Sequence, residues 1–213
     1  MSLLFATENR GKLAEIRALF SALPVEILSL ADVLPGRSQV AEDGVTFEEN
    51  ASLKARAAAS ETMLVTLAED AGLEVDALGG RPGVRSARFA GLGATDAENN
   101  AALLSALQEV DEPQRIARFR TVLALVDPWA DAGVIVTAGQ CEGTIAREAR
   151  GTGGFGYDPL FVVAGYGRTM AELTGAEKNI VSHRAQAAAA MLPTLEGLVR
   201  DRIDSSLRIA RRG

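Results

Sequence analysis

The chain alternates short apolar runs with polar, glycine-bearing loops and with apolar residues at helical spacing. Residues 2–6 (SLLFA) are an apolar run of buried-strand length. Residues 7–12 (TENRGK) are polar and contain Gly11, which predicts a loop. Leu13, Ile16 and Phe20 then recur at helical spacing. The opening is therefore strand, loop, helix, with the loop at the strand's carboxyl end, where open α/β sheets place ligands. Residues 47–60, rich in alanine and charge, predict a helix. Residues 63–67 predict a short strand, followed by Ala68 and then Glu69 and Asp70 at its end. Gly79, Gly80, Pro82 and Gly83 mark a turn-rich loop. Thr95 and Glu98 have capping-box spacing, and Ala101, Leu104 and Leu107 follow on one helical face. Residues 119–126 and 134–140 are β-rich runs around a turn-like segment and predict an antiparallel hairpin. A glycine-rich loop at 151–159, a strand at 160–163 and a second capping box at Thr174 and Glu177 come next. A long C-terminal helix is predicted over 185–207, with Pro193 kinking or dividing it. The fold class is α/β with a mixed sheet, and residues 1–213 form a single domain.

Composition narrows the picture. A chain of 213 residues suits one large domain, or two lobes around a shared core, and needs no disulfide to fold. Cys141 is the single cysteine, so intramolecular disulfides and four-cysteine or two-cysteine, two-histidine zinc sites are excluded. The net charge of −6 argues against non-specific nucleic-acid binding but allows a local basic pocket. No run approaches the ~18 apolar residues of a membrane span. The N-terminus has no basic region ahead of its apolar run and does not read as a signal peptide. A cytoplasmic protein with no membrane partner is expected.

Five clusters carry candidate chemistry. Thr7, Glu8, Asn9, Arg10, Gly11 and Lys12 lead into a helix N-terminus, which offers free N–H groups and a favourable dipole to phosphate. The spacing is not that of a P-loop, and an ordinary strand–helix turn would look the same locally. Glu42, Asp43 and Gly44, with Asn50 and Lys54 four apart on one helix face, could help hold a hard cation, although a solvated helix face accounts for them locally. Glu69 and Asp70 are adjacent carboxylates; in an extended segment their side chains point opposite ways, and aspartate near glycine is also common in turns. Residues 151–156 contain four glycines, and Phe155 and Tyr157 alternate with them, so that one ring can stack on a base while the other packs inward. Asp158 could accept hydrogen bonds from a base. Glu177, Lys178, Asn179, Ser182, His183 and Arg184 gather the sole histidine with a fork-shaped donor suited to phosphate or a base carbonyl.

Taken in order, the pieces ATENRGK, EDGVTFEENASLKA, AEDAGLEVDALGGRPGVRSARFAG, GTGGFGYDPLF and AEKNIVSHRA resemble the inosine triphosphate pyrophosphatase family over residues 3–192. The resemblance implies an elongated α/β fold with two lobes flanking a cleft, a homodimer, Mg²⁺ as cofactor, and hydrolysis of ITP, dITP and XTP to monophosphate and pyrophosphate. It implies that residues 7–12 hold the triphosphate. Asp70 would be the catalytic proton acceptor and a metal ligand, Glu42 a second metal ligand, and Glu69 a further candidate. Lys54 and Lys178 would contact phosphate, and Ala71 would face substrate. Phe155, Gly156, Tyr157, Asp158, His183 and Arg184 would bind the purine. Three positions depart from the family pattern: Glu69 stands where aspartate is frequent, Ala71 where serine is frequent, and Glu8 where a small residue is frequent. The competing readings are a pyrophosphatase of modified pyrimidine nucleotides and a non-catalytic nucleotide sensor.

Overall fold

The structure, a computed structural model, describes residues 1–36 and 43–210, with side chains to residue 205. The elements are β1 (Ser2–Phe5), α1 (Arg10–Leu19), β2 (Glu26–Ser29), α2 (Leu30–Val33), α3 (Phe47–Thr62), β3 (Val65–Val75), α4 (Asp96–Ala106), β4 (Ile116–Val126), β5 (Val134–Ile145), β6 (Phe161–Val163), α5 (Gly175–Val181) and α6 (His183–Ala210). The sheet has six strands in the order β2-β1-β3-β4-β5-β6. β1 pairs in parallel with β2 and β3, and every later pairing is antiparallel. This is the mixed α/β sheet that the patterning predicts.

Local signals placed most helix starts. Thr46, Thr95 and Thr174 each accept from the backbone N–H three residues on, and the glutamate there returns the bond, satisfying donors that a helix end leaves orphaned. α1 starts earlier than the loop prediction allows. Asn9 Oδ1 accepts from Lys12 N at 3.0 Å, so Arg10, Gly11 and Lys12 form the first helical turn. β3 runs to Val75 because β4 pairs with it from Thr66 to Val75; Glu69 and Asp70 are therefore mid-strand rather than at a strand end. β2 was too short to show a period. Arg17 donates to Ile27 O on this edge strand through Nε and Nη2, at 3.2 and 2.8 Å. Pro193 does not divide α6, since Ala187, Ala188, Met191 and Leu195 on both sides of it pack into one core.

The long strands β3, β4 and β5 present two faces. On one, Leu67, Leu123 and Leu125 meet α1 and α6 in a core near β1. Further along that face, Leu73, Val75, Phe119 and Cys141 meet Leu103 and Leu107 of α4 and Tyr157, Leu160 and Phe161. Between these two cores the same face carries Glu69, Ala71, Thr121 and Gly139, each polar or small. On the opposite face Ala68, Val122 and Ala124 pack against Phe47, Ala51, Ala55 and Ala58 of α3. The alanines let α3 lie close to the sheet.

Gly139 is where α6 seats on the sheet. A Cβ there would lie 2.1 Å from His183 O and 2.5 Å from Ala187 N, both backbone atoms that cannot swing away. Gly139→Ala is expected to destabilise by about 1–3 kcal/mol, lowering Tm by several degrees in a thermal melt. An unchanged Tm would show that α6 can lift off without cost.

Candidate active site

The site forms where β1 stops. β1 pairs with β3 only through Leu3–Phe5 against Val65–Leu67, closed by Ala6 N donating to Leu67 O at 2.8 Å. Further on, Ser86 covers the β3 edge, with Leu73 N donating to its Oγ at 2.8 Å. Residues 68–71 are left bordering an open cleft at the carboxyl end of β1, as expected for a sheet of this kind. Two cavities meet there. The larger, about 430 Å³, is lined by Thr7, Glu8, Asn9, Lys12, Lys54 and Glu69 among others. The smaller, about 130 Å³, is lined by Ala71, Phe155, Gly156, Tyr157, Asp158, Lys178, His183 and Arg184. Asn9, Lys12 and Ala87 line both.

Glu69 and Asp70 serve opposite faces of β3. Asp70 lies on the α3 side, buried, with Oδ1 2.9 Å from Lys54 Nζ and Oδ2 accepting from Asn50 Nδ2 at 3.1 Å. The i, i+4 spacing of Asn50 and Lys54 brings both to one carboxylate. Asn50 is itself held by Gly44 N donating to its Oδ1 at 2.9 Å. Asp70 itself lines neither cavity; Lys54, which it holds, lines the larger.

Glu69 lies on the α6 side. Arg184 Nε and Nη2 donate to its two oxygens, each at 2.7 Å, a bidentate fork. Lys12 Nζ stands 3.3 Å from Oε1. Arg184 Nη1 also donates to Glu15, and Glu15 takes Lys178 Nζ at 2.8 Å. Lys178 in turn lies 2.8 Å from Asp158 Oδ2. The charges alternate along one chain: Asp158, Lys178, Glu15, Arg184, Glu69, Lys12. Burial pushes Glu69 up, but Arg184 and Lys12 outweigh it and hold the carboxyl well below the usual range. Burial alone would lower Lys178; Asp158 and Glu15 outweigh it and raise the ammonium above its ordinary value.

The smaller cavity is shaped by the glycine loop. Tyr157 is the inward ring, its hydroxyl donating to Ser86 O at 2.8 Å. Gly156 N donates to Asp96 Oδ2 at 2.7 Å, which ties the loop to α4. Phe155 is the half-buried ring facing the cavity, with Lys178 Nζ at 5.4 Å and Arg184 Cζ at 5.5 Å from its centroid. Phe155 also leans on Gly11, where a Cβ would come within 2.6 Å of the ring. Asp158 Oδ2 is occupied by Lys178 and by Phe155 N. His183 is buried, stacks on Phe119 at 4.7 Å, and leaves Nδ1 without a hydrogen-bond partner.

Comparison with known proteins now bears on this geometry. The model of the Ham1 family matches residues 3–194. A dITP/XTP pyrophosphatase of Desulforamulus reducens is 49% identical, covering 93% of this chain and 97% of its own. One of Geobacter sulfurreducens is 52% identical, covering 88% and 92%. The solved structure of a HAM1 protein from Coxiella burnetii superposes with a TM-score of 0.82 at 42% identity, covering 92% of this chain and 99% of that one. The chain belongs to the Ham1 family.

Within this Ham1 chain most predicted site residues converge. Glu42 lies outside the described residues. Arg10 is exposed on α1 and lines neither cavity. Glu15 is the structural addition, and the structure gives Asn50 its partner, Asp70. Asn50 shared a signal with Lys54 through their spacing, whereas Glu15 meets Arg184 from 169 residues away, with nothing local to mark it. Among the described residues, no three aspartate, glutamate, histidine or cysteine side chains converge on a metal position. Mg²⁺ often takes only one or two carboxylates and completes its shell with phosphate and water. Asp70, one Lys54 side chain behind the larger cavity, fits a donor set of that kind.

Burial, then the nearby Arg184, pushes His183 well below the ordinary histidine value, so it is neutral in the folded protein. The unfolded chain binds the proton that the folded one refuses, so stability is full above pH ~6.5 and falls as pH drops below it. By pH 5.5 this histidine alone is expected to cost about 1 kcal/mol. Denaturant melts at pH 7.5 and 5.5 should show that loss in the wild type and a smaller one in His183→Gln. Equal losses would mean that His183 already carries a proton when folded.

Proposed function

We infer that this chain hydrolyses the non-canonical purine nucleoside triphosphates dITP, ITP and XTP to the monophosphate and pyrophosphate. The observation that carries this is the junction of two cavities of different chemistry at Lys12: one built from a helix N-terminus and lysines, the other from an aromatic ring with donor-only cations. The kinship with dITP/XTP pyrophosphatases across nearly the whole chain supports the same reading.

In this reading the Thr7–Lys12 segment and the N-terminus of α1 hold the triphosphate. Asp70 takes a proton from a water whose oxygen bonds to the α-phosphorus as the bridging bond to pyrophosphate breaks. Lys12 and Lys54 offset charge on the departing group, and Lys54 can turn from Asp70 to phosphate because it stands between the two. Asp70, with Glu42, would hold Mg²⁺, which supplies charge neutralisation at the phosphates and a more acidic water. Phe155 supports the base by stacking. Arg184 keeps N–H groups beyond those given to Glu69 and Glu15, and Lys178 carries only donors. A 6-carbonyl satisfies such donors, whereas the 6-amine of adenine opposes them. A homodimer in the cytoplasm completes the proposal. A non-catalytic sensor would have no use for the buried Asp70–Lys54–Asn50 cluster, and the aromatic-and-cation cavity favours purines over modified pyrimidines.

Release of pyrophosphate from ITP, dITP, XTP, ATP and dUTP, with Mg²⁺ and with chelator, tests the reading. Turnover confined to the first three and abolished by chelator is expected. Asp70→Asn should lower kcat by about 10²–10⁴. Near-normal turnover in that variant would remove Asp70 from the chemistry, and binding of ITP without turnover by the wild type would favour the sensor.

A further inference from the structure

We propose that Glu69 is a positioning residue that couples recognition of the base to recognition of the triphosphate, rather than a ligand of the metal. The proposal rests on the purine triphosphatase reading and deepens it. Three observations carry it. Glu69 is directed to the α6 face, away from Asp70, with a side chain only 1% exposed. Both of its oxygens are taken by Arg184, and Oε1 is shared with Lys12. Among the described residues it is the carboxylate that joins a cation of the base cavity, Arg184, to a cation that lines both cavities, Lys12.

The physical consequence is shared pre-organisation. Arg184 has three donors committed to carboxylates, so its remaining N–H groups point where Glu69 and Glu15 aim them. Lys12 is the looser partner, at 3.3 Å and with a side chain 20% exposed. A triphosphate that draws Lys12 away leaves Glu69 to Arg184 alone and changes the field in which the base is read. Groups that share a partner in one ion-pair network do not contribute independently. A substitution on the phosphate side should therefore alter selectivity for the base.

Lys12→Met tests this and leaves the buried Glu69–Arg184 fork intact. Binding of α,β-methylene analogues of ITP and ATP, which cannot be cleaved at the α–β bridge, is measured by calorimetry with Mg²⁺ present. The expected result is a fall in the ITP-over-ATP preference of about threefold or more, beyond the common loss of affinity. Loss of affinity by the same factor for both analogues would overturn the coupling. In Glu69→Gln the effect of Lys12→Met on preference should vanish, and the Mg²⁺ concentration for half-maximal turnover should stay as in the wild type. Persistence of the effect without Glu69, or a tenfold or larger rise in the Mg²⁺ requirement, would overturn the proposal. If Glu69→Gln fails to fold, the Lys12→Met comparison decides it. A wild-type protein that binds neither analogue would overturn the functional reading itself, and the coupling with it.

Discussion

The buried fork between Glu69 and Arg184 ties the middle of the central strand β3 to the first turn of α6, and the smaller cavity is organised from there. An ion pair removed from water is costly to create, and removing one partner costs about 3–5 kcal/mol because the other charge stays buried alone. Such a pair holds only if its remaining hydrogen-bonding capacity is met. Glu15 and Lys12 meet it, one on each side, and Lys178 and Asp158 extend the alternation to the glycine loop. The network brings α1, β3, the 151–159 loop, α5 and α6 to one point.

The sheet explains why the cleft is there. Long strands normally bury a continuous apolar face. Here that face is apolar at both ends and interrupted in the middle by Glu69, Ala71, Thr121 and Gly139. Each interruption has its own role: a charge for Arg184, small side chains beside the cavity, and a glycine for the backbone of α6. The apolar ends supply stability, and the interrupted middle supplies room and polarity. The opposite face does the same job on a smaller scale, where the alanines of α3 bring Asn50 and Lys54 down onto Asp70.

Much of this was legible before any fold. The Thr-x-x-Glu spacings at Thr95 and Thr174 marked two helix starts, because capping is a contact between residues three apart; the box at Thr46 emerged with the structure. The spacing of Asn50 and Lys54 placed them on one face, and strand alternation put Glu69 and Asp70 on opposite sides. The alternation of Phe155 and Tyr157 with glycine predicts one ring outward and one inward, and packing decides which. Lengths were harder. β3 looked short and ended at its carboxylates because polar residues in a strand mimic a turn; pairing with β4 kept them in the ladder. Asn9 moved the start of α1 into what looked like a loop. Glu15 had no local mark at all.

The order of the motifs along the chain by itself determined the family and the fold class, because element type follows from local spacing and side-chain chemistry. What only the tertiary structure decided was partnership. The sequence could place Glu69 next to Asp70 but not assign one to Arg184 and the other to Lys54, since each of those pairs is closed by packing between distant elements. Adjacent in sequence and opposite in space, the two carboxylates divide the site between its two faces.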